Sequence, residues 1–152
     1  MTLTLARTIL VALLLGPGPT VGPTFEGVTL SGKVVAVAEA IKARGIEADK
    51  GPIEGQVALL SADGGVVPLI SDEASRAFFL DDRMRNRKAE VVGRRYAGLP
   101  YLQVLTFRVE EGGRLRTPEY YCEICAISVR YPQTCPCCQG DMVLQFKRDE
   151  DP

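Results

Sequence analysis

Four cysteines in the last third of this sequence constrain its fold more than any other feature. They form two Cys-x-x-Cys pairs, Cys122 with Cys125 and Cys135 with Cys138, separated by residues 126 to 134. Each pair lets a tight turn direct two thiolates towards one point, and a linker of this length can form a hairpin that brings both pairs to one ion. The spacing predicts a small zinc ribbon over residues 117 to 147, with these four cysteines as metal ligands.

The second pair contains two residues with special backbone properties. Pro136 stiffens the turn, and we expect Gly140 to adopt a positive φ just beyond it. A fifth cysteine, Cys137, is not needed for coordination, and we expect its side chain to point away from the ion.

The ligand type favours zinc. Four thiolates leave no coordination position open to water, so a zinc site of this kind is structural and redox-inert. Iron is the alternative metal. Two disulfides are a further alternative, but a disulfide within a Cys-x-x-Cys turn closes a loop too short to stabilise a fold.

The first 24 residues have the pattern of a secretory signal. Arg7 precedes an apolar run over residues 8 to 15, and a Gly/Pro-rich break follows. The run is far shorter than the ~20 apolar residues that span a bilayer. We predict a signal segment over residues 1 to 24 and an exported protein, periplasmic or extracellular, without a membrane span after processing. A buried N-terminal strand or helix is the alternative interpretation.

Composition excludes several kinds of active site. The chain of 152 residues contains no His and no Trp, which rules out Ser-His-Asp and Cys-His catalysis and His-ligated haem. Its formal net charge is -1, so no overall field attracts nucleic acid or an anionic membrane. No other catalytic constellation is visible in the sequence. We therefore predict that the protein is not an enzyme.

The segment between the signal and the ribbon has the alternation of a β-rich domain. Strands are predicted over residues 28 to 38, 57 to 60, 66 to 70, 88 to 96 and 101 to 109. Residues 39 to 55 read as a long loop with a turn of helix at its start. After the third strand, Ser71 can cap a helix whose apolar face contains Ala74, Ala77, Phe78 and Leu80.

The order of three strands, one helix and two strands resembles the oligonucleotide/oligosaccharide-binding (OB) fold. That fold is a five-stranded Greek-key barrel with a helix between the third and fourth strands. The resemblance is one of topology, and it implies a mainly β protein with an OB-like barrel over residues 25 to 112. We expect the barrel to fold without the ribbon, because its strands carry enough apolar residues for a core of their own.

The cysteine region also resembles the rubredoxin-like knuckle domain found at the end of rubrerythrins. The likeness lies in Tyr121-Cys-Glu-Ile-Cys, in Pro132 and in Thr134-Cys-Pro-Cys-Cys. Domains of that family bind iron through four cysteines and pass electrons, so the resemblance implies an iron site at the same ligands. The glycine that usually follows the first knuckle is replaced by Ala126.

One stretch of the chain is densely basic. On an OB scaffold, a basic face with aromatic side chains can bind single-stranded nucleic acid. Phe78 and Phe79 are expected in the helix and the core, however, so we interpret the basic side chains as a solvated charged face. They are Arg76, Arg83, Arg85, Arg87, Lys88, Arg94 and Arg95.

Together these observations favour an exported, non-enzymatic binding or scaffold protein with a structural zinc ribbon. Its expected partner is another protein, and nucleic acid is not expected. The first alternative is a small redox or electron-transfer protein that uses a rubredoxin-like iron site or the ribbon thiols. The second is single-stranded nucleic-acid binding through the barrel.

Overall fold

A computed structural model describes residue 22 and residues 24 to 147 of the chain. Apart from residues 22 and 24, the predicted signal segment lies outside the described residues. Within the described part the fold is mainly β and consists of two antiparallel sheets. None of the helices in this part has the length and apolar character needed to cross a bilayer.

The first sheet has six strands in the described part of the chain, in the order β3-β2-β1-β4-β5-β6. The first strand is central, because it pairs with β2 through its second half and with β4 along most of its length. The six strands are β1 (Phe25–Ala36), β2 (Val57–Ser61), β3 (Val66–Pro68), β4 (Lys88–Tyr96), β5 (Leu102–Glu111) and β6 (Arg114–Arg116).

The second sheet contains the cysteine region. Its strands are β7 (Pro118–Cys122), β8 (Ile127–Val129) and β9 (Val143–Phe146), in the order β8-β7-β9. The ribbon expected over residues 117 to 147 is therefore a three-stranded sheet in the described part of the chain, with β7 between β8 and β9.

Two helices differ from the sequence-based prediction. The first predicted strand was expected to reach residue 38, but it ends at Ala36 and the chain enters helix α1 (Val37–Lys42). Helix α2 (Arg76–Leu80) begins after Ser75 and not after Ser71. The buried Ser75 hydroxyl donates a hydrogen bond of 2.6 Å to the carbonyl oxygen of Ile70 and so ties the residues before the helix to its start. Leu80, expected on the apolar face, is 57% exposed.

The sheet also has one strand more than the five expected. Gly112 and Gly113 have φ angles of 59° and 79° and form a two-residue turn that reverses the chain from β5 into β6. Turns with two positive φ angles match the twist of paired strands, which explains why this Gly-Gly pair makes a hairpin. At the other end of the sheet, β3 stops at Pro68, and Leu69 then makes an isolated parallel bridge to Leu102.

The two sheets contribute to one hydrophobic core. Tyr120 of β7 is 1% exposed and lies in the same buried cluster as Phe78, Val91 and Phe107 from the first part of the chain. The rings of Phe78 and Phe107 are 4.1 Å apart. Five partly buried side chains of the second part pack against this cluster, namely Val129, Tyr131, Met142, Leu144 and Phe146.

A buried polar contact joins the same two parts. The Tyr120 hydroxyl donates a hydrogen bond of 2.6 Å to Asp81 Oδ2, and Arg83 donates to the same oxygen at 2.7 Å. Burial opposes the charge of Asp81, but the hydrogen bonds from Arg83 and Tyr120 outweigh it and lower the pKa of Asp81. The division at residues 112 to 117 remains a prediction, yet a chain that ended at Arg116 would lack Tyr120. We therefore expect it to be less stable than the whole protein.

Replacing Tyr120 by Phe tests this contact. The change removes the hydroxyl and leaves the buried Asp81 with Arg83 as its remaining side-chain partner, so the free energy of unfolding should fall by about 1–3 kcal/mol. Tyr121→Phe is the matched control, because alternation along β7 places Tyr121 on the opposite face. Denaturant unfolding measures both variants, and equal losses of stability would contradict the role assigned to Tyr120.

The same contact predicts a loss of stability at alkaline pH. Burial, together with the hydrogen bond to Asp81, raises the pKa of Tyr120 well above its ordinary value of 10.0. A raised pKa in the folded state means that the contribution is complete below pH 10 and is lost as the pH rises towards the raised value. Above pH 10, the unfolding free energy of the wild type should therefore fall more steeply with pH than that of Tyr120→Phe. Parallel pH profiles would show that Tyr120 does not titrate as inferred.

Candidate metal centre

The four cysteines singled out in the sequence lie together in the structure. The Sγ atoms of Cys122, Cys125, Cys135 and Cys138 are all within 4.8 Å of one another. The Sγ atoms of Cys122 and Cys138 are 3.6 Å apart. A tetrahedron with metal–sulfur bonds of about 2.3 Å has sulfur–sulfur edges of about 3.8 Å, so only a small contraction would enclose an ion. The four cysteines can therefore hold a metal ion.

Both Cys-x-x-Cys turns have the same backbone conformation. The residue after each pair lies in the left-handed region, with φ of 53° at Ala126 and 59° at Gln139. The Ala126 N–H donates to the carbonyl oxygen of Cys122 at 2.8 Å, and the Gln139 N–H donates to that of Cys135 at 2.9 Å. Two turns of the same shape thus present two thiols each towards a common centre.

The expected positive φ at Gly140 was wrong, because the left-handed residue is Gln139, one position earlier. Gly140 has a different role. Its carbonyl oxygen accepts a hydrogen bond of 2.9 Å from the Cys135 N–H, and a Cβ at this position would lie 3.4 Å from Cys138 Sγ. At the first knuckle, Ala126 occupies the left-handed position where the rubredoxin-like pattern has glycine.

The strands determine where this centre lies in the fold. Cys122 ends β7 and pairs with Ile127, the first residue of β8, so the first turn closes the β7–β8 hairpin. The second turn precedes β9, which pairs with the other edge of β7. Tyr120 precedes Cys122 by two residues on β7, so both side chains point to the buried face of that strand.

The thiols differ in their environment. Cys122 and Cys135 are buried, Cys125 is half-buried, and Cys138 is exposed. Hydrogen bonds from the backbone N–H groups of Cys138 and Cys137 lower the pKa of Cys135 to about 7, although burial opposes them. The neighbouring thiols of Cys137 and Cys138 raise the pKa of Cys125. Four clustered thiols resist ionising together, and a divalent cation would reverse that preference by binding the thiolates.

Cys137 is exposed and is not among the four mutually close thiols. All five cysteines belong to the described residues, and none of them forms a disulfide.

The basic stretch does not form an open cationic face, because most of its side chains have partners within the chain. Arg83 binds Asp81, Arg85 binds Asp82, and Arg87 binds Glu111 at 2.9 Å. The guanidinium groups of Arg76 and Arg94 each lie 4.7 Å from the ring centre of an aromatic residue, Tyr131 and Phe25 respectively.

A cleft of about 360 Å³ between the two sheets was not anticipated from the sequence. Leu105 and Phe107 of β5 line one side, and Glu119, Ser128, Arg130 and Lys147 line the other. Arg130 Nη1 reaches across to the carbonyl oxygen of Leu105 at 3.4 Å, and Lys147 Nζ lies 3.2 Å from Glu119 Oε2. No local motif indicates the cleft, because its walls come from separate segments.

Comparison of the chain with protein-family models, with curated proteins and with solved structures gave no match.

The left-handed conformation of Ala126 leads to a test of the first knuckle. This conformation costs an L-residue about 1–2 kcal/mol through steric repulsion. Glycine has no such repulsion, but ordering its backbone costs about 0.5–1 kcal/mol in entropy. Ala126→Gly should therefore raise the free energy of unfolding by about 0.5–1 kcal/mol. Ala43→Gly is the matched control, since Ala43 has a right-handed φ of -61° and should lose stability on substitution. Denaturant unfolding that showed equal losses would contradict the inferred strain at Ala126.

Proposed function

We propose that this chain is a non-enzymatic binding protein in which a structural zinc ion holds together the two cysteine turns of the second sheet. The observation that supports the proposal most directly is the approach of four protein thiols to within 4.8 Å of one another. A site whose four ligands all come from the protein has no position for a substrate or for an activated water molecule. Its role is therefore to stabilise the fold.

Zinc is the metal we propose, with iron as the alternative. Four thiolates in two short turns suit either ion, but zinc alone gives a centre without redox chemistry. The alternative redox function would need iron, or thiols that are oxidised to a disulfide and reduced again.

The first sheet, we propose, curves into an OB-like barrel. Four features support this: β1 pairs with both β2 and β4, α2 lies between β3 and β4, the register shifts between Val92 and Gly93, and Leu69 bridges Leu102 in parallel. The bridge joins the end of β3 to the start of β5, which is where a barrel of this topology would close. A register shift of this kind bends a strand and increases its twist.

The proposed binding surface is the cleft between the sheets. It combines apolar side chains of β5 with the charged groups of Glu119, Arg130 and Lys147, a mixture that suits another protein better than a nucleic-acid backbone. Both walls would be rigid, because the Tyr120–Asp81 contact and the metal fix the second sheet. Most of the basic side chains already pair with carboxylates or aromatic rings of the chain. They are therefore less available to phosphates, which favours a protein ligand over single-stranded nucleic acid.

We further propose that the protein acts outside the cytoplasm, on the strength of Arg7, the apolar run over residues 8 to 15 and the Gly/Pro-rich break. N-terminal sequencing of protein from its natural host should find the leading residues removed. Recovery of intact Met1 in the cytoplasmic fraction would contradict export.

Elemental analysis tests the metal centre. The purified protein should contain one zinc per chain, and Cys122→Ser or Cys138→Ser should lose it because three thiolates no longer close the site. Cys137→Ser is the control and should retain full stoichiometry. Strong visible absorption would identify iron. A metal-free wild type with Cys122–Cys125 and Cys135–Cys138 disulfides would overturn the metal centre.

Site-directed photo-crosslinking in the natural host tests the cleft. A photoreactive phenylalanine analogue at Ser128, which is exposed and lines the cleft, should yield a discrete crosslinked protein. The same analogue at Glu54, exposed in the segment between α1 and β2, is the control and should not yield it. Equal products at both positions, or none at Ser128, would contradict binding in the cleft.

A further inference from the structure

One edge of β5 has an unpaired stretch where the strand faces the cleft. The opposite edge pairs with β4 from Leu102 to Val109, whereas β6 covers this edge only from Val109 to Glu111. At the start of the strand, Leu102 is held by the parallel bridge to Leu69. Between these two contacts, residues 103 to 107 have no strand partner on this edge in the described part of the chain. A free strand edge of this kind is a template for pairing with another chain.

The β5–β6 hairpin identifies a residue whose backbone groups point to this edge. Glu111 and Arg114 flank the two-residue turn, and residues in these positions exchange backbone hydrogen bonds. Backbone groups alternate between the two edges of a strand, so those of Val109 and Phe107 point the same way as those of Glu111. Continued pairing would place Pro118 opposite Phe107, but proline has no N–H to donate. The N–H and C=O of Phe107 are therefore available to a strand in the cleft.

Arg130 covers a neighbouring part of the same edge. Its Nη1 donates to the carbonyl oxygen of Leu105 at 3.4 Å, which is longer than a usual hydrogen bond of this type. Arg130 is exposed, and none of the described carboxylates forms an ion pair with it. The other two charged side chains of the cleft, Glu119 and Lys147, pair with each other. A carboxylate from outside the chain would be a stronger partner for this guanidinium than the carbonyl oxygen is.

The cleft also offers apolar contacts beside the free edge. The Leu105 side chain is 38% exposed, although it is large and hydrophobic. Ala74 and Val129 line the same cleft and are half-buried. Alternate side chains of an extended peptide point to the same side, so every second residue of a bound strand could pack against these groups.

We propose that the cleft binds an extended, acidic segment of another protein, which adds to the free edge of β5 as a strand. The backbone of this segment pairs with Phe107, an apolar side chain packs against Leu105, and a carboxylate binds Arg130. The inference rests on the proposed function of the cleft and specifies the chemistry of its partner. In this mode of recognition, main-chain hydrogen bonds provide affinity and the contacts of alternate side chains provide specificity.

Selection from a library of random peptides of about eight residues tests the predicted chemistry. The immobilised full-length protein should enrich peptides that alternate apolar residues and contain Asp or Glu. Arg130→Gln should weaken binding of an enriched peptide about tenfold, because it removes a charge-assisted contact, and Arg130→Lys should retain most of the affinity. Arg95→Gln is the matched control, since Arg95 is exposed on β4 and does not line the cleft. Fluorescence anisotropy with the labelled peptide measures all four proteins.

Amide exchange followed by NMR tests the backbone pairing. In the free protein, the Phe107 N–H should exchange faster than the N–H of Arg108, which faces β4 by the same alternation. The bound peptide should slow exchange at Phe107 about tenfold or more. N-methylation of alternate peptide residues should abolish binding in one register and preserve it in the other, because only every second N–H of an added strand faces β5.

The results that would overturn the inference are distinct from those that would overturn the proposed function. Peptides that compete with crosslinking at Ser128 but leave exchange at Phe107 unchanged would overturn strand addition and keep the cleft as a binding surface. Equal affinities of the wild type and Arg130→Gln would overturn the acidic partner. No enriched peptide would overturn the inference alone if Ser128 still crosslinks to a protein, and the proposed cleft as well if it does not. Protection of Phe107 that rises with protein concentration, without peptide, would make a second copy of this chain the occupant and overturn the inference.

Discussion

The buried contact between Tyr120 and Asp81 holds the second sheet against the first part of the chain. Burying either side chain alone would cost free energy, because a hydroxyl and a carboxylate both lose hydrogen bonds to water. Together with Arg83 they satisfy one another, and the Tyr120 ring fills the core beside the first sheet. A shared core and a charge-assisted hydrogen bond pack the second sheet against the first.

The metal centre extends this arrangement along a single strand. Tyr120 and Cys122 are alternate residues of β7 and point to the same face, so the ion would be bound at the end of the strand that the core already fixes. Metal binding in small sites usually supplies the folding energy that a weak core cannot. Here the core already packs β7 in place through Tyr120. Cys122 at the end of this strand therefore loses fewer conformations when a metal binds. The two turns then complete the site with hydrogen bonds of nearly equal length.

Local patterns in the sequence identified those features whose causes are local. Cysteine spacing indicated the four ligands, and alternation indicated five of the six strands of the first sheet. The end of β1 was misplaced because Val37 and Ala38 are compatible with strand as well as helix, and only the contacts of α1 decide between them. The hairpin at Gly112 and Gly113 leads into β6, a strand that the alternation did not indicate. The pairing of Tyr120 with Asp81 and the cleft at Leu105 could not be predicted, because each joins distant segments and leaves no local pattern.

The central position of β1 bears on when this chain can fold. Its neighbour along most of its length is β4, so Phe25 pairs with Tyr96 and Lys33 with Lys88. Pairings between distant segments form slowly, because closing a long loop costs entropy before any contact compensates for it. During synthesis the first strand therefore has no main partner until most of the sheet has been made, and the core is incomplete until Tyr120 follows. Folding of this chain is therefore expected to finish only after most of it has been synthesised.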